Sequence, residues 1–438
     1  MEEIKIKLAN DLIDFINASP SPFHVVLNIK EALLKQDFTE LLPGDKWQIK
    51  PGNKYFTSKN ETAIIAFVAG MGKVEESGFR IIAAHTDSPG IKIKPNPGIR
   101  VNKNYFCLNT EVYGGPILST WFDRPLSIAG RVSVASENSL KPITHYINLR
   151  EPVCLIPNLA IHFNREVNEG LKIERQKMLM PVLALSGGYS AEKDLLFGIL
   201  ASELNIEPEK IIDYDLNLFE VQNGCLLGQN KEFISSGKLD NLAMVHNGVE
   251  ALTDCSPINA SQMFVFFDNE EVGSLSKQGA GAPFLRNVVH RICNSYNTDV
   301  ESFYRSIEHS FMISADMAHA IHPAFNEKYD PVCQPLLNGG PVIKINANQK
   351  YTTDSDSSAV FEMLCRNAGV PVQRYVNHSD VAGGSTLGGI SSAQLDLRSV
   401  DVGNPMLAMH SIREISGVDD HYYLFRALSE FFKSDPEK

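Results

Sequence analysis

The sequence lacks paired cysteines, an excess of basic charge and any long apolar run, and each absence removes a class of protein. Its seven cysteines (Cys107, Cys154, Cys225, Cys255, Cys293, Cys333 and Cys365) are scattered, odd in number and free of any C-x-x-C pair. Neither a disulfide framework nor a cysteine-ligated zinc site fits that spacing, and free thiols in a reducing cytoplasm are expected. Forty Lys and Arg stand against 52 Asp and Glu, a net charge of −12. That balance repels phosphate backbones and anionic lipid surfaces, so neither nucleic acid nor a membrane is an expected partner. Apolar runs such as residues 64–71 fall far short of the ~18 residues of a spanning helix. Residues 1–8 mix acids with spaced apolar side chains, where a secretion signal requires a basic start and an unbroken apolar stretch. A soluble, cytoplasmic chain is the expectation.

What is present is a globular composition, 43% hydrophobic and 21% charged over 438 residues, enough for two or three domains at about 150 residues each. Ile4, Leu8, Leu12 and Ile16, widened by Ile13 and Phe15, predict an amphipathic N-terminal helix that Ser19-Pro20-Ser21-Pro22 stops. Residues 63–68 and 79–84 read as buried strands, the second ending directly at His85. From about Pro95 to Asn230, recurrent prolines and short alternating stretches predict antiparallel strands, interrupted by a helix over 190–204 with Ser190 as its cap. After Lys231 strands and helices alternate again. Leu242, Val245, Val249 and Leu252 mark a helix, 263–267 and 311–315 are apolar strands, a helix around 360–364 is capped by Asp354-Ser355-Asp356-Ser357, and a last helix covers 422–432 before Pro436. This alternation predicts an α/β fold with a doubly wound, mainly parallel sheet. One discontinuous domain, 1–94 plus 231–438, would carry a strand-rich insert over 95–230.

Five segments end a hydrophobic or helical element on a His, Asp or Glu: Ala84-His85-Thr86-Asp87, Leu239-Asp240-Asn241, Asp268-Asn269-Glu270-Glu271, Ala315-Asp316 and Met409-His410. In an open α/β sheet, residues just beyond the carboxyl ends of strands converge on one crevice. Acids so near apolar strands suffer a large desolvation penalty unless paired or bound to metal, and few cations accompany them here. Two imidazoles with three or more carboxylates and no sulfur fit a two-zinc hydrolytic site, in which cobalt or manganese could substitute. The His85-x-Asp87 spacing lets Asp87 contact the His85 ring nitrogen that faces away from metal. Adjacent acids at a strand end point in different directions, so Glu271 is read as a ligand and Glu270 as a general base.

At these residues the sequence resembles the aspartyl aminopeptidases, the M18 metallopeptidases among the two-zinc aminopeptidases. The likeness runs nearly end to end, through Ser19-Pro20-Ser21-Pro22-Phe23-His24, Ala84-His85-Thr86-Asp87-Ser88-Pro89-Gly90, Leu239-Asp240-Asn241, Asn269-Glu270-Glu271-Val272-Gly273-Ser274, Ala315-Asp316-Met317-Ala318-His319-Ala320 and Met409-His410-Ser411-Ile412-Arg413-Glu414. The resemblance implies the phosphorylase/hydrolase-like fold of these enzymes and two zinc ions per subunit on His85, Asp240, Glu271, Asp316 and His410, with Asp240 bridging. Glu270 would be the base and Asp87 the support of His85.

It further implies peptide substrates with acidic N-termini and a homo-oligomer, a dodecamer built from dimers through the insert. Lys344, in Gly340-Pro341-Val342-Ile343-Lys344, would read the acidic side chain, with His319 as a weaker candidate; on sequence alone Lys344 is equally a surface lysine on an edge strand. His162, in Asn158-Leu159-Ala160-Ile161-His162-Phe163, would reach a neighbouring subunit's site, although its apolar setting also fits a core histidine and a zinc ligand is a further reading. The glycine-rich Gly383-Gly384-Ser385-Thr386-Leu387-Gly388-Gly389 lacks the Lys-Ser/Thr of a phosphate loop and reads as a backbone-lined cleft wall. Two competing functions are a two-metal aminopeptidase of neutral or broad specificity and a non-catalytic self-assembling scaffold.

Overall fold

The computed structural model describes residues 2–185 and 194–435. At its centre is a nine-stranded sheet whose middle strands, Ser261–Phe267, Phe79–His85, Phe311–Ala315 and Arg398–Gly403, run parallel, with antiparallel pairings toward both edges. The sheet is doubly wound, and its strands show why. Along Ala63–Val68, Ile64, Ala66 and Val68 enter one core while Ala63, Ile65 and Phe67 enter the other. Phe79–His85 and Ser261–Phe267 divide in the same way. A strand buried on both faces has to be apolar throughout, which is why these segments read as unbroken runs rather than alternating ones.

One face is covered by helices Glu2–Asn17, Pro22–Lys35, Leu239–Thr253, Ser355–Ala368 and Val418–Phe431, and the other by Phe284–Ser295, Val300–Glu308 and Leu387–Leu395. The N-terminal helix buries Leu8, Leu12, Ile13 and Ile16, but Ile4 is exposed. Steps of four advance about 40° around a helix, so a stripe begun at Ile16 has rotated off the core by Ile4. The Asp354 cap is present as a reciprocal box with Ser357, and Gly369 closes that helix in the left-handed conformation. Within the insert, the helix is observed over Asp194–Leu204; the expected cap, Ser190, lies outside the described residues, as does Pro436.

A second, six-stranded antiparallel sheet draws its strands from Gly90–Val101 to Ile211–Glu220 and has its own core around Trp121, Ile128 and Leu216. Cys225–Leu227 already belongs to a five-stranded sheet with Phe233–Ser236, Glu414–Gly417, Pro405–Leu407 and Ala318–His319. Among the described residues, no helix is long and apolar enough to cross a membrane.

Candidate metal centre

Parallel register brings the site together. Phe267 pairs with His85, so the turn holding Glu270 and Glu271 opens beside that histidine. Ser314 pairs with Ala83, which sets Asp316 level with His85 on the opposite side. Gly403 passes directly beneath Asp316, where any Cβ would overlap the Asp316 carbonyl. Asp240 sits at the start of Leu239–Thr253, and His410 lies in the tight loop between Pro405–Leu407 and Glu414–Gly417.

The side chains form two trios sharing one residue. Nε2 of His85 lies 3.5 Å from Asp240 Oδ1 and 3.5 Å from Asp316 Oδ1. On the other side, His410 Nε2 lies 3.4 Å from Asp240 Oδ2 and 3.5 Å from Glu271 Oε1. Tetrahedral zinc with ligands at 2.0–2.1 Å separates its donors by about 3.3–3.4 Å. In each trio the two histidine–carboxylate separations match that spacing and all three donor atoms lie within 4.8 Å of one another, so each could hold a metal, with Asp240 offering one oxygen to each.

Two more observations support the fit. Asp240 Oδ1 is buried without a hydrogen-bond partner, a costly state for a carboxylate unless a cation faces it. Both histidines also present Nε2 to the cluster because Nδ1 donates to a carbonyl, His85 to Asp87 O at 3.0 Å and His410 to Gly115 O at 3.1 Å. A carbonyl accepts only, so the neutral ring keeps its lone pair on Nε2.

The charges are under tension. Burial disfavours a cation on His85, yet Asp240, Asp316 and Asp87 hold the imidazole well above its usual range. His410, also opposed by burial, is pushed up to about 10 by Asp240 and Glu271. Burial, with Asp240 next, raises Glu271 well above the carboxylate range, and burial lifts Glu270 to about 7. A divalent ion in each trio would supply the positive charge that these acids share among too few partners.

Asp87 meets the centre through both its carbonyl and its carboxylate. The group on His85 Nδ1 at hydrogen-bond distance is the Asp87 carbonyl, the carboxylate standing 3.4 Å away. Its carboxylate also accepts the N–H groups of Glu270 at 3.1 Å and Glu271 at 3.2 Å, and the hydroxyl of Tyr113 at 2.6 Å. Tyr113 in turn accepts from Asn269. Tyr113 carries no mark in the sequence pattern, because its role depends on a contact between the two sheets, and Asn269 lies within the motif Asn269-Glu270-Glu271-Val272-Gly273-Ser274, which assigns it no role.

Lys344 is neither exposed nor on an edge strand: Val342–Lys344 lies one strand inside the sheet edge and the residue is 2% exposed. Its Nζ donates to Asp316 Oδ2 at 3.1 Å and to Met317 O at 3.0 Å. His319 is half-buried beside Tyr375, the ladder partner of Lys344, with ring centroids 5.7 Å apart. Burial, then Lys344, lowers its pKa. His162 is not a core histidine. It is exposed in the turn Ile161–Phe163 with Leu159, Ile161 and Phe163 exposed around it. The glycine-rich segment packs on Asn377 and on Asp401, which accepts from Thr386 Oγ1 at 2.6 Å.

Residues 15–432 match the family profile described as aminopeptidase I zinc metalloprotease (M18). A probable M18 family aminopeptidase 2 of Clostridium novyi (strain NT) is 53% identical over 428 residues, 98% of this chain and 99% of its own. Among solved structures, the Ape4 and Nbr1 complex seen by cryo-EM matches 99% of this chain and 86% of its own at 37% identity and TM-score 0.95. The "S. cerevesiae mApe1 dodecamer" matches 97% of this chain and 96% of its own at 28% identity and TM-score 0.85. With likeness of this extent in sequence and fold, the protein belongs to the M18 family of zinc metallo-aminopeptidases.

Proposed function

We propose that this aminopeptidase removes acidic residues, Asp or Glu, from peptide N-termini, with two metal ions held by His85, Asp240, Glu271, Asp316 and His410. The observation that carries the reading is the pair of donor trios meeting at Asp240. Divalent ions held there, zinc by the family description and cobalt or manganese by the same donor chemistry, supply Lewis acidity that activates water and polarises a carbonyl. Glu270 lies outside the two trios that meet at Asp240 but within 4.8 Å of donor atoms of His85 and Glu271, which suits a base that takes the water's proton and returns it to the leaving amine. Asp87 fixes the backbone of Glu270 and Glu271.

Selectivity is assigned to Lys344. An ammonium has three donors, two of them already used on Asp316 and Met317, and the third can meet a substrate carboxylate. His319 lines the same region beside Tyr375. His162, exposed among apolar neighbours, is assigned to the site of a neighbouring subunit in a dodecamer built from dimers through the insert, as suits a relative whose structure is a dodecamer.

The test compares peptides beginning with Asp, Glu, Leu and Lys, before and after chelation and re-addition of zinc, cobalt or manganese. Asp and Glu should lead, and chelation should abolish turnover reversibly. A flat panel would favour broad specificity, and metal binding without peptidase activity would favour a scaffold. Glu270→Gln should retain metal while losing roughly 10²–10⁴-fold in turnover.

A further inference from the structure

Glu414 is buried, at 2% exposure, beside the centre but outside both donor trios. Its two oxygens accept two backbone N–H groups, Asp240 N–H at 3.2 Å on Oε2 and His410 N–H at 2.7 Å on Oε1. Those residues are the shared member and the histidine of one donor trio. The arrangement follows from the ladder: Glu414 pairs with Ser236, four residues before Asp240, and itself lies four residues after His410. Both loops leave the same rung, and the carboxylate spans the gap between them.

The loops need such a tie. His410 and Ala408 both adopt left-handed backbone, with φ of 68° and 57°, a conformation that costs non-glycine residues about 1–2 kcal/mol and persists only where neighbours impose it. The opposite trio is held otherwise, with His85 on a central strand and Asp316 pinned by Lys344.

We propose that Glu414 is a positioning residue that fixes the His410 half of the centre against Asp240. It touches neither substrate nor ligand side chain; it sets the distance between two ligand-bearing loops. The inference rests on the two-ion reading above.

The test is calorimetric titration of the metal-free full chain with cobalt or zinc, for wild type, Glu414→Gln and Glu414→Ala, with circular dichroism to verify folding. Glutamine keeps the shape but offers one acceptor in place of two. One ion should bind each variant as it binds wild type, while the affinity for the second falls roughly 10–100-fold, the usual effect of losing an outer-shell partner, with alanine the more severe. Unchanged binding of both ions overturns the proposal, and so does equal weakening of both or misfolding of both variants, which would mark Glu414 as a general structural residue. Should wild type bind fewer than two ions, the two-ion reading fails first and this inference falls with it.

Discussion

Replacing Lys344 with methionine removes a charge that competes with a metal ion for Asp316. The lysine side chain is 3% exposed and the Asp316 side chain 14%, at 3.1 Å separation. Burial opposes the ammonium, but Asp316, with Tyr351 and Asp401, keeps its pKa raised. Without metal, Lys344→Met leaves the largely buried Asp316 carboxylate with His85, 3.5 Å away, as its remaining cationic partner, and breaking a buried pair costs at most about 3–5 kcal/mol. With metal bound, Asp316 faces a cation, and the main loss is the unsatisfied Met317 carbonyl, about 1–3 kcal/mol. The difference, at most about 2 kcal/mol, appears as tighter binding at the trio of His85, Asp240 and Asp316, at most about 30-fold in Kd. Titration against a chelating fluorophore reads it directly. Peptide assays on the same variant should show kcat/KM for Asp and Glu peptides falling much further than for Leu peptides. Unchanged or weaker metal affinity would refute the competition, and an unchanged acidic preference would remove Lys344 from specificity.

Asp87→Asn keeps the carbonyl that orients His85 but replaces the acceptor of two amides and the Tyr113 hydroxyl with a side chain that has one acceptor oxygen; kcat should drop roughly 10–100-fold with metal retained, and wild-type kcat would contradict the role given to its carboxylate. A separate prediction concerns His246 and His421, both buried, with Nδ1 of the first 3.0 Å from Nε2 of the second. Burial lowers His246 to about 4, and burial with His246 beside it holds His421 well below its usual range, while Asp11, Lys7 and Glu250 face the pair from two helices. Both rings stay neutral in the fold and take protons near pH 6.5 when unfolded, so the stability they contribute is complete above pH 6.5 and is lost as pH falls toward 4. The slope is about 1.4 kcal/mol per pH unit for each ring. Urea midpoints between pH 7 and 4.5 should fall less steeply for His421→Gln than for wild type, and parallel profiles would exclude the pair as the cause.

What could be read from the sequence was whatever local pattern enforces. Strands buried on two faces must be apolar, so 63–68, 79–84 and 311–315 were visible as runs; acids that follow such runs are conspicuous, and the ligand positions emerged from that contrast. Features made by long-range contact were invisible. Without the family resemblance, Lys344 reads as readily as a surface lysine, because nothing near it in sequence announces Asp316, which is 28 residues away. For Asp87, spacing shows proximity to His85 but not that its carbonyl shares the ring nitrogen with its carboxylate. Tyr113, Glu414 and the His246–His421 pair have no periodic signal, since each acts across elements that meet only in the fold.

The division into a centre and an insert is therefore less complete chemically than topologically. Tyr113, the last residue of a strand in the six-stranded sheet, donates to Asp87. Two residues later, Gly115 O receives the proton of His410 Nδ1, and the next turn adds Ile117 N–H to His410 O and Thr120 Oγ1 to the N–H of Ile412. The segment 113–120 thus sets the tautomer of one candidate ligand and steadies the carboxylate that holds Glu270 and Glu271. A histidine whose Nδ1 loses its carbonyl is free to rotate or change tautomer, and its Nε2 then no longer faces Asp240. These four contacts join the six-stranded sheet to the candidate centre, so a displacement of that sheet would be felt at His410 and Asp87.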